Sequence, residues 1–345
     1  MIPHPYLLHL GAATDDLSVK TARGVLHWRP ERCLGQRRLP GCAVDLGLPD
    51  LNFDMARVRG ARTVVLGAAN AGGVLDEGLA REAVAAAAAG LNIASGLHQR
   101  LSDRPEIARA AREAGVRLFD LRRPPDDLAV GTGRRRPGRR LLTVGTDCSV
   151  GKMYASLALE RALRAAGVAA DFRATGQTGI LIAGDGVPVD AVVADFISGA
   201  AERVSPARHD GSWDIVEGQG SLFHPSYAGV SLGLLHGSQP DALVLCHEPG
   251  RVHMRGLPGA PLPGVAECLA ANLAAARLTN PEVQAVGVAL NTARLDEDQR
   301  VRAVAAVREE TGLPCVDPLV HGVDAIIERL ISCFRLSPAR PTVDA

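Results

Sequence analysis

The stretch RRLLTVGTDCSVGKMYASLALERAL, Arg139 to Leu163, decides the reading of this chain. An apolar run, LLTVG, ends at Gly145, and a helical pattern opens at Lys152. Between them, GTDCSVGK puts Gly145 and Gly151 where a tight loop favours residues without a Cβ. Such a loop turns its backbone N–H groups inward, and the following helix adds the positive end of its dipole. Lys152 supplies a point charge suited to a phosphate oxygen. The pattern predicts a phosphate cradle made of Gly145, Thr146, Asp147, Cys148, Ser149, Val150, Gly151 and Lys152. One residue departs from the ATP-using form. Met153 follows the lysine, where a Ser or Thr hydroxyl normally holds Mg²⁺. A thioether is a poor ligand for so hard a cation. The cradle therefore suits a phosphate-bearing ligand that is held rather than hydrolysed, and coenzyme A, whose chemistry lies at a distant thioester, is such a ligand.

The rest of the composition narrows the class. Of 38 basic residues only Lys20 and Lys152 are lysines, so a lysine inside the cradle is a selective choice of a compact ammonium. The 345-residue chain has a formal net charge of +0, which provides no general field for nucleic acid. No apolar run approaches the ~20 residues of a membrane span, and MIPHPYLLHL lacks the charged start and cleavage site of a signal peptide. Seven cysteines without CxxC spacing read as reduced thiols of a cytoplasmic protein.

Working outward, strands alternate with helices on both sides of the cradle. YLLHLG, TVVLGAANAGG, LNIASGLH and VRLFDLRRP are predicted strands interleaved with helical segments, which implies parallel βαβ units. They predict a Rossmann-like N-terminal domain over residues 1–123, without a GxGxxG fingerprint. The Pro-, Gly- and Arg-rich segment 124–140 is the predicted linker, and its run GRRRPGRR is read as solvated. Residues 141–335 predict a P-loop NTPase-like domain with a mostly parallel sheet. Its expected strands are LLTVG, AADFRAT, AVVAD, WDIVEG, ALVLCHE and AVGVALN, and its expected helices lie near 152–166, 265–277 and 297–310.

The long-spaced loop resembles that of dethiobiotin synthetase, and DIVEGQGSLFHP and ALNT follow in the order expected of that fold. More specifically, LPGCAVDLGLPD, ANAGGV, IASGLH, LLTVGTDCSVGK, DFRATGQTGILIAG and VEGQGSLFHPSYAGVSLGLLHGSQPDALVLCHEP resemble the DgcN family of D-glutamate N-acetyltransferases. The resemblance runs from about Pro5 to Leu330. It implies transfer of an acetyl group from acetyl-CoA to the amine of D-glutamate. It also implies a pathway racemase that takes up N-acetyl-D-glutamate. A homo-oligomer without nucleic acid or membrane is expected, and no metal is strictly required. The competing reading is an ATP/Mg-dependent kinase or ligase of the dethiobiotin synthetase type.

Amide formation needs a proton acceptor, a donor to the developing oxyanion and an oriented amine. Glu217, at the end of WDIV, is the candidate base, and His224 in SLFHPS is the second catalytic candidate. Asn291, closing ALN, is expected against the cofactor's base. RATGQTG reads as a ligand loop, so Arg173, Gln177 and Thr178 join the substrate candidates. Asn70, His98, Lys20 and Arg23 complete them, because two carboxylates on D-glutamate call for cationic and polar partners. Direct transfer is preferred to an acetyl-cysteine at Cys148, since phosphate would fill the loop. HEPGRVH, His247 to His253, is not a zinc-protease motif: its spacing and its Pro-Gly pair oppose one helical face.

Overall fold

The structure, a computed structural model, describes residues 2–67 and 74–336. It divides into two compact units, Met1–Pro124 with Gly176–Ala191, and Pro125–Thr175 with Val192–Ala345. Each is an α/β layer built on a parallel sheet.

The first unit alternates β1 (Tyr6–Gly11), α1 (Lys20–Trp28), β2 (Cys33–Arg38), α2 (Phe53–Val58), β3 (Thr63–Leu66), α3 (Glu77–Ala88), β4 (Asn92–Ser95), α4 (Pro105–Ala114) and β5 (Leu118–Asp120). The strand order β2-β1-β3-β4-β5 is doubly wound, with its switch point between β1 and β3. The expected Rossmann-like class is thus what forms. Strand β1 is buried throughout, and Leu7, Val64 and Ile93 share one core cluster with Leu79, Ala83 and Ala86 of α3. Each fully buried Leu or Ile contributes roughly 1.5–3 kcal/mol. The alanines of α3 carry little bulk and let that helix lie close to the sheet. Helix α4 starts on Pro105 and stops at Gly115 in the left-handed conformation, a preorganised start and a release.

A buried polar cluster crosses this unit. His9 of β1 is fully buried and receives the Gly11 N–H on Nδ1 at 3.2 Å. Its Nε2 therefore carries the proton and donates to the Glu82 carboxylate at 3.1 Å, while Arg37 of β2 donates to the same group at 3.0 Å. The His9 hydrogen bond, followed by Arg37, overcomes burial and holds the Glu82 carboxyl at about 2, below its ordinary 4.5. A depressed carboxyl stabilises the fold above its unfolded value and loses that contribution as pH falls through its folded one. The melting temperature should therefore drop between pH 4.5 and about 2, and Glu82→Gln should flatten that arm. Parallel acid titrations of both proteins by circular dichroism check this, and identical slopes would refute it.

The second unit runs β6 (Arg139–Gly145), α5 (Lys152–Ala165), β7 (Ala170–Arg173), then, after α6 (Gln177–Ala183) of the first unit, α7 (Ile197–Val204), β8 (Trp213–Val216), α8 (Ala228–Ser238) and β9 (Ala242–His247). A short antiparallel hairpin of β10 (His253–Met254) and β11 (Leu257–Pro261) follows. Helix α9 (Val265–Arg277), β12 (Gln284–Leu290), α10 (Glu297–Thr311), β13 (Cys315–Val316) and α11 (Asp324–Phe334) complete it. The six-stranded order β13-β12-β9-β6-β8-β7 puts the cradle strand β6 in the middle, between β8 and β9. The P-loop class expected from the sequence is realised here.

Several local expectations are corrected. AVVAD, Ala191 to Asp195, is no strand: Val189–Ala191 and Ala194–Phe196 are 3₁₀ turns, and Val193 is exposed, so no sheet neighbour rewards its β-branched run. Strand β2, CLGQRR, is an addition to the strands read from the sequence, because an edge strand with partly buried polar positions lacks a clear alternation. RATGQTG is not one loop. Gly176, extended, caps α6, and Gln177 and Thr178 are its first residues, because ILIA behind them is an apolar run that buries Ile180, Leu181 and Ile182. The basic run before β6 is only partly solvated. Arg136 donates to the carbonyls of Ser205 and Gly237 at the ends of α7 and α8, where a helix dipole favours a cation, and Arg140 is buried.

Candidate functional site

In the second unit the carboxyl ends of four neighbouring strands converge. Strand β6 ends at Gly145 and feeds the loop to Lys152; β8 leads to Glu217; β9 leads to His247 and Glu248; β12 leads to Asn291. The loop is wound tightly. Gly151 has φ +99° and Ser149 has φ +55°, both left-handed. The Lys152 ammonium, buried, donates to Asp147 O at 2.7 Å and Gly220 O at 2.8 Å, tying the loop to the segment after β8. Burial lowers its pKa, with Cys148 among the groups acting in the opposite direction. The neighbouring thiols Cys246 and Cys268 are pushed up to about 12 by burial and stay protonated.

The β8 segment is locked against β6. Gly218 N donates to Thr143 Oγ1 at 3.0 Å, and a Cβ on Gly218 would lie 1.6 Å from Thr143 O, so only glycine fits. Glu217 is buried and its Oε2 accepts the Thr175 N–H at 3.0 Å, while Thr175 Oγ1 donates to Glu217 O at 2.6 Å. Ser221 Oγ donates to Thr146 O at 3.1 Å. His224 is buried; its Nδ1 accepts the Ser226 N–H at 3.2 Å, so Nε2 carries the proton, facing Arg255 O at 3.5 Å. Ligand atoms of Asp147, Cys148 and His224 all lie within 4.8 Å of one another. The β12 end reaches the loop as well: a Cβ on Gly151 would stand 3.7 Å from the Asn291 Cβ.

Two arginines that sequence reasoning passed over complete the site. Arg251 Nη1 donates to Asp147 Oδ2 and to Cys148 O, each at 2.7 Å, and its Nη2 donates to Ser149 O at 3.3 Å. The same guanidinium pairs with the Glu248 carboxylate. Arg255, at the hairpin, donates its N–H to Asp147 Oδ2 at 2.8 Å and its guanidinium to Ser149 Oγ. Burial, then Arg251, lowers the His247 pKa, and its Nδ1 lies 3.0 Å from Thr146 Oγ1. The histidine spacing of HEPGRVH, His247 to His253, does not reveal this role. Its signal was a pair of arginines just past the carboxyl end of a strand beside the cradle strand.

The structure thus brings together Gly145 to Lys152, Glu217, His224 and Asn291. Most substrate candidates lie on elements of the other unit. Lys20, Arg23, His98, Gln177 and Thr178 belong to the first unit. There Lys20 opens α1, Arg23 pairs with Asp16, and Thr178 Oγ1 donates to Thr21 Oγ1 at 3.3 Å. The Gln177 side chain lies over Gly96, where a Cβ would come within 1.7 Å of Oε1. His98, on the same turn after β4, has its pKa lowered by partial burial and by Arg122. Arg173 stays in the second unit and donates to Asp214 at 2.7 Å. Asn70 lies outside the described residues.

The donor set fits Mg²⁺ badly. Met153 offers no hard oxygen, and the Asp147 carboxylate is already held by Arg251, the Arg255 N–H and the Cys148 N–H. Among the described residues no helix is long and apolar enough to cross a membrane.

Two family models match the sequence. Residues 37–124 match the domain of unknown function DUF1611_N, a Rossmann-like domain, and residues 127–327 match DUF1611_C, a P-loop domain. A Pseudoalteromonas protein named D-glutamate N-acetyltransferase is 51% identical over 329 residues, 95% of this chain and 99% of that protein. One from Tritonibacter scottomollicae with the same name is 47% identical over 330 residues, 96% of this chain and 99% of its own. The crystal structure of a DUF1611 family protein from Anabaena variabilis superposes with a TM-score of 0.86 at 32% identity, covering 96% of this chain and 100% of that one.

Proposed function

The chain belongs to the DUF1611 family, with the two D-glutamate N-acetyltransferases among its relatives, and from that premise we propose that it moves an acetyl group from acetyl-CoA to the amine of D-glutamate. The observation that carries the donor half is the cradle. Lys152, Arg251 and Arg255 surround a tightly wound loop whose post-lysine residue is Met153. Charge of this kind grips the diphosphate of coenzyme A and leaves it intact. The kinase or ligase reading needs a hard metal site, which Met153 and the Arg251-bound Asp147 do not offer.

Placing the diphosphate there has a consequence for catalysis. The pantetheine arm is comparable to three or four extended residues, so the thioester stands roughly 10–14 Å from the loop. Lys152 Nζ ties the cradle to Gly220 O, three residues past Glu217, and His224 lies within 4.8 Å of Asp147 and Cys148, while Glu217 Oε2 accepts from Thr175 N and His224 Nδ1 from Ser226 N. In this reading both are positioning residues that shape the phosphate end. The amine and the two carboxylates of D-glutamate call for polar and cationic partners, and the side chains read from the sequence for that role include Gln177, Thr178 and His98. The product, an N-acetylated D-amino acid with an intact α-carbon hydrogen, suits a racemase as the next enzyme.

The test is free-thiol release from acetyl-CoA by the purified chain with a panel of D- and L-amino acids in EDTA. Release that requires D-glutamate is expected. Turnover only with ATP and Mg²⁺ would replace this reading with the kinase or ligase.

A further inference from the structure

We propose that Arg251 is a built-in cation of the cradle, standing in the charge-balancing role that a divalent ion has in ATP-using loops. The inference rests on the donor half of the proposed function, since it concerns how that ligand is held. It starts from an inventory of oxygens. The Asp147 and Glu248 carboxylates, both buried, and the carbonyls of Cys148 and Ser149 converge on one point beside the loop. Hard oxygens in such a group would ordinarily attract Mg²⁺ or Ca²⁺. Here the Arg251 guanidinium, largely buried, occupies that point and donates to all four. A guanidinium suits the place, because it stays charged and its fixed fork meets several acceptors at once.

The nearby trio of Asp147, Cys148 and His224 does not offer a competing metal site. Asp147 is neutralised by Arg251, and His224 presents a protonated Nε2 because Nδ1 accepts from Ser226 N. With Lys152 and Arg251 matching the two carboxylates, Arg255 leaves an excess of positive charge at the loop. A diphosphate then enters without a metal partner. Remove Arg251, and the excess of positive charge at the loop is lost, with Asp147 and Glu248 both deprived of their guanidinium donor there.

Calorimetric titration of the full chain with coenzyme A, in EDTA and in millimolar Mg²⁺, tests this. Wild-type affinity should be the same in both. Arg251→Met should lose about ten- to a hundredfold in EDTA and recover part of it in Mg²⁺, as the freed carboxylates gain a metal. Equal affinity of Arg251→Met and wild type in EDTA overturns the proposal, as does wild-type binding that disappears in EDTA. The second arm needs no variant to fold. Inorganic pyrophosphate serves as the control ligand: metal-free binding of pyrophosphate without binding of coenzyme A would support the built-in cation and remove the acetyl-CoA reading. Conversely, D-glutamate acetylation by a wild type whose affinity for coenzyme A is unaffected by Arg251→Met leaves the function standing and the inference overturned.

Discussion

Lys152→Ala is expected to weaken coenzyme A binding by about 1.5–3 kcal/mol, the range for a hydrogen bond to a charged group. The ammonium is buried and bridges Asp147 O and Gly220 O, so its loss removes both the charge and the clamp between the loop and the β8 segment. Lys152→Arg should not restore binding. The space is fitted to a compact head: Nζ already lies 3.1 Å from where a Gly145 Cβ would be. Titration adds a second reading of the same group. Burial lowers the Lys152 pKa from 10.5, so its charge is lost earlier on the alkaline side, and affinity for coenzyme A should fall there. Stability should move the other way. The unfolded chain holds this proton more tightly than the fold does, so the fold gains stability as pH rises through the interval below 10.5. The buried thiols Cys33, Cys246, Cys268 and Cys315, held near 12 against an ordinary 9, act in the opposite direction above pH 9, where the unfolded chain releases their protons and the fold does not, so the lysine's gain is read as the difference between wild type and Lys152→Ala. Calorimetry and thermal melts along one pH series measure both. Undiminished affinity in Lys152→Ala would remove the cradle from the account.

The cradle was legible because it is written in consecutive residues, Gly145 to Lys152, with a strand before and a helix after. The doubly wound sheets were legible for a related reason: strands such as ALVLCH and QAVGVAL are central, buried on both faces and nearly continuously apolar. Elements whose form depends on distant neighbours were not. Strand β2 pairs only at the edge of its sheet, and Gln177 and Thr178 sit on a helix that clusters with the first unit although the surrounding chain belongs to the second. Arg251 is the clearest case. Its partner Asp147 is 104 residues away, and nothing in HEPGRVH points to it until β9 and β6 lie side by side. Histidines drew attention because their chemistry is local to the side chain, whereas the role of an arginine is set by what it faces.

Arg173 shows the same dependence from the opposite side, and its removal separates structure from recognition. From the sequence it is a carboxylate binder beside polar loop residues. In the fold, its carboxylate belongs to the protein: Arg173 Nε donates at 2.7 Å to Asp214, whose side chain is 0% exposed, and Arg208 stands 3.6 Å from the same oxygen. Burial pushes the Asp214 carboxyl up, while the hydrogen bond and charge of Arg173, then Arg208, pull it down. Asp214→Ala should destabilise the fold by about 3–5 kcal/mol, because it leaves charged guanidinium groups without their buried counter-ion. Asp214→Asn should lie between this variant and wild type, since an amide oxygen still accepts from Arg173 while the charge is lost. Arg173→Ala should likewise lower the melting temperature, with KM for D-glutamate held near the wild-type value in the fraction that remains folded. A KM that rises steeply while the melting temperature stays fixed would restore Arg173 to the substrate site. Burial decides this: a carboxylate with no exposed surface cannot release Arg173 to a ligand without losing its hydrogen-bonded donor, with Arg208 at 3.6 Å left as its counter-charge.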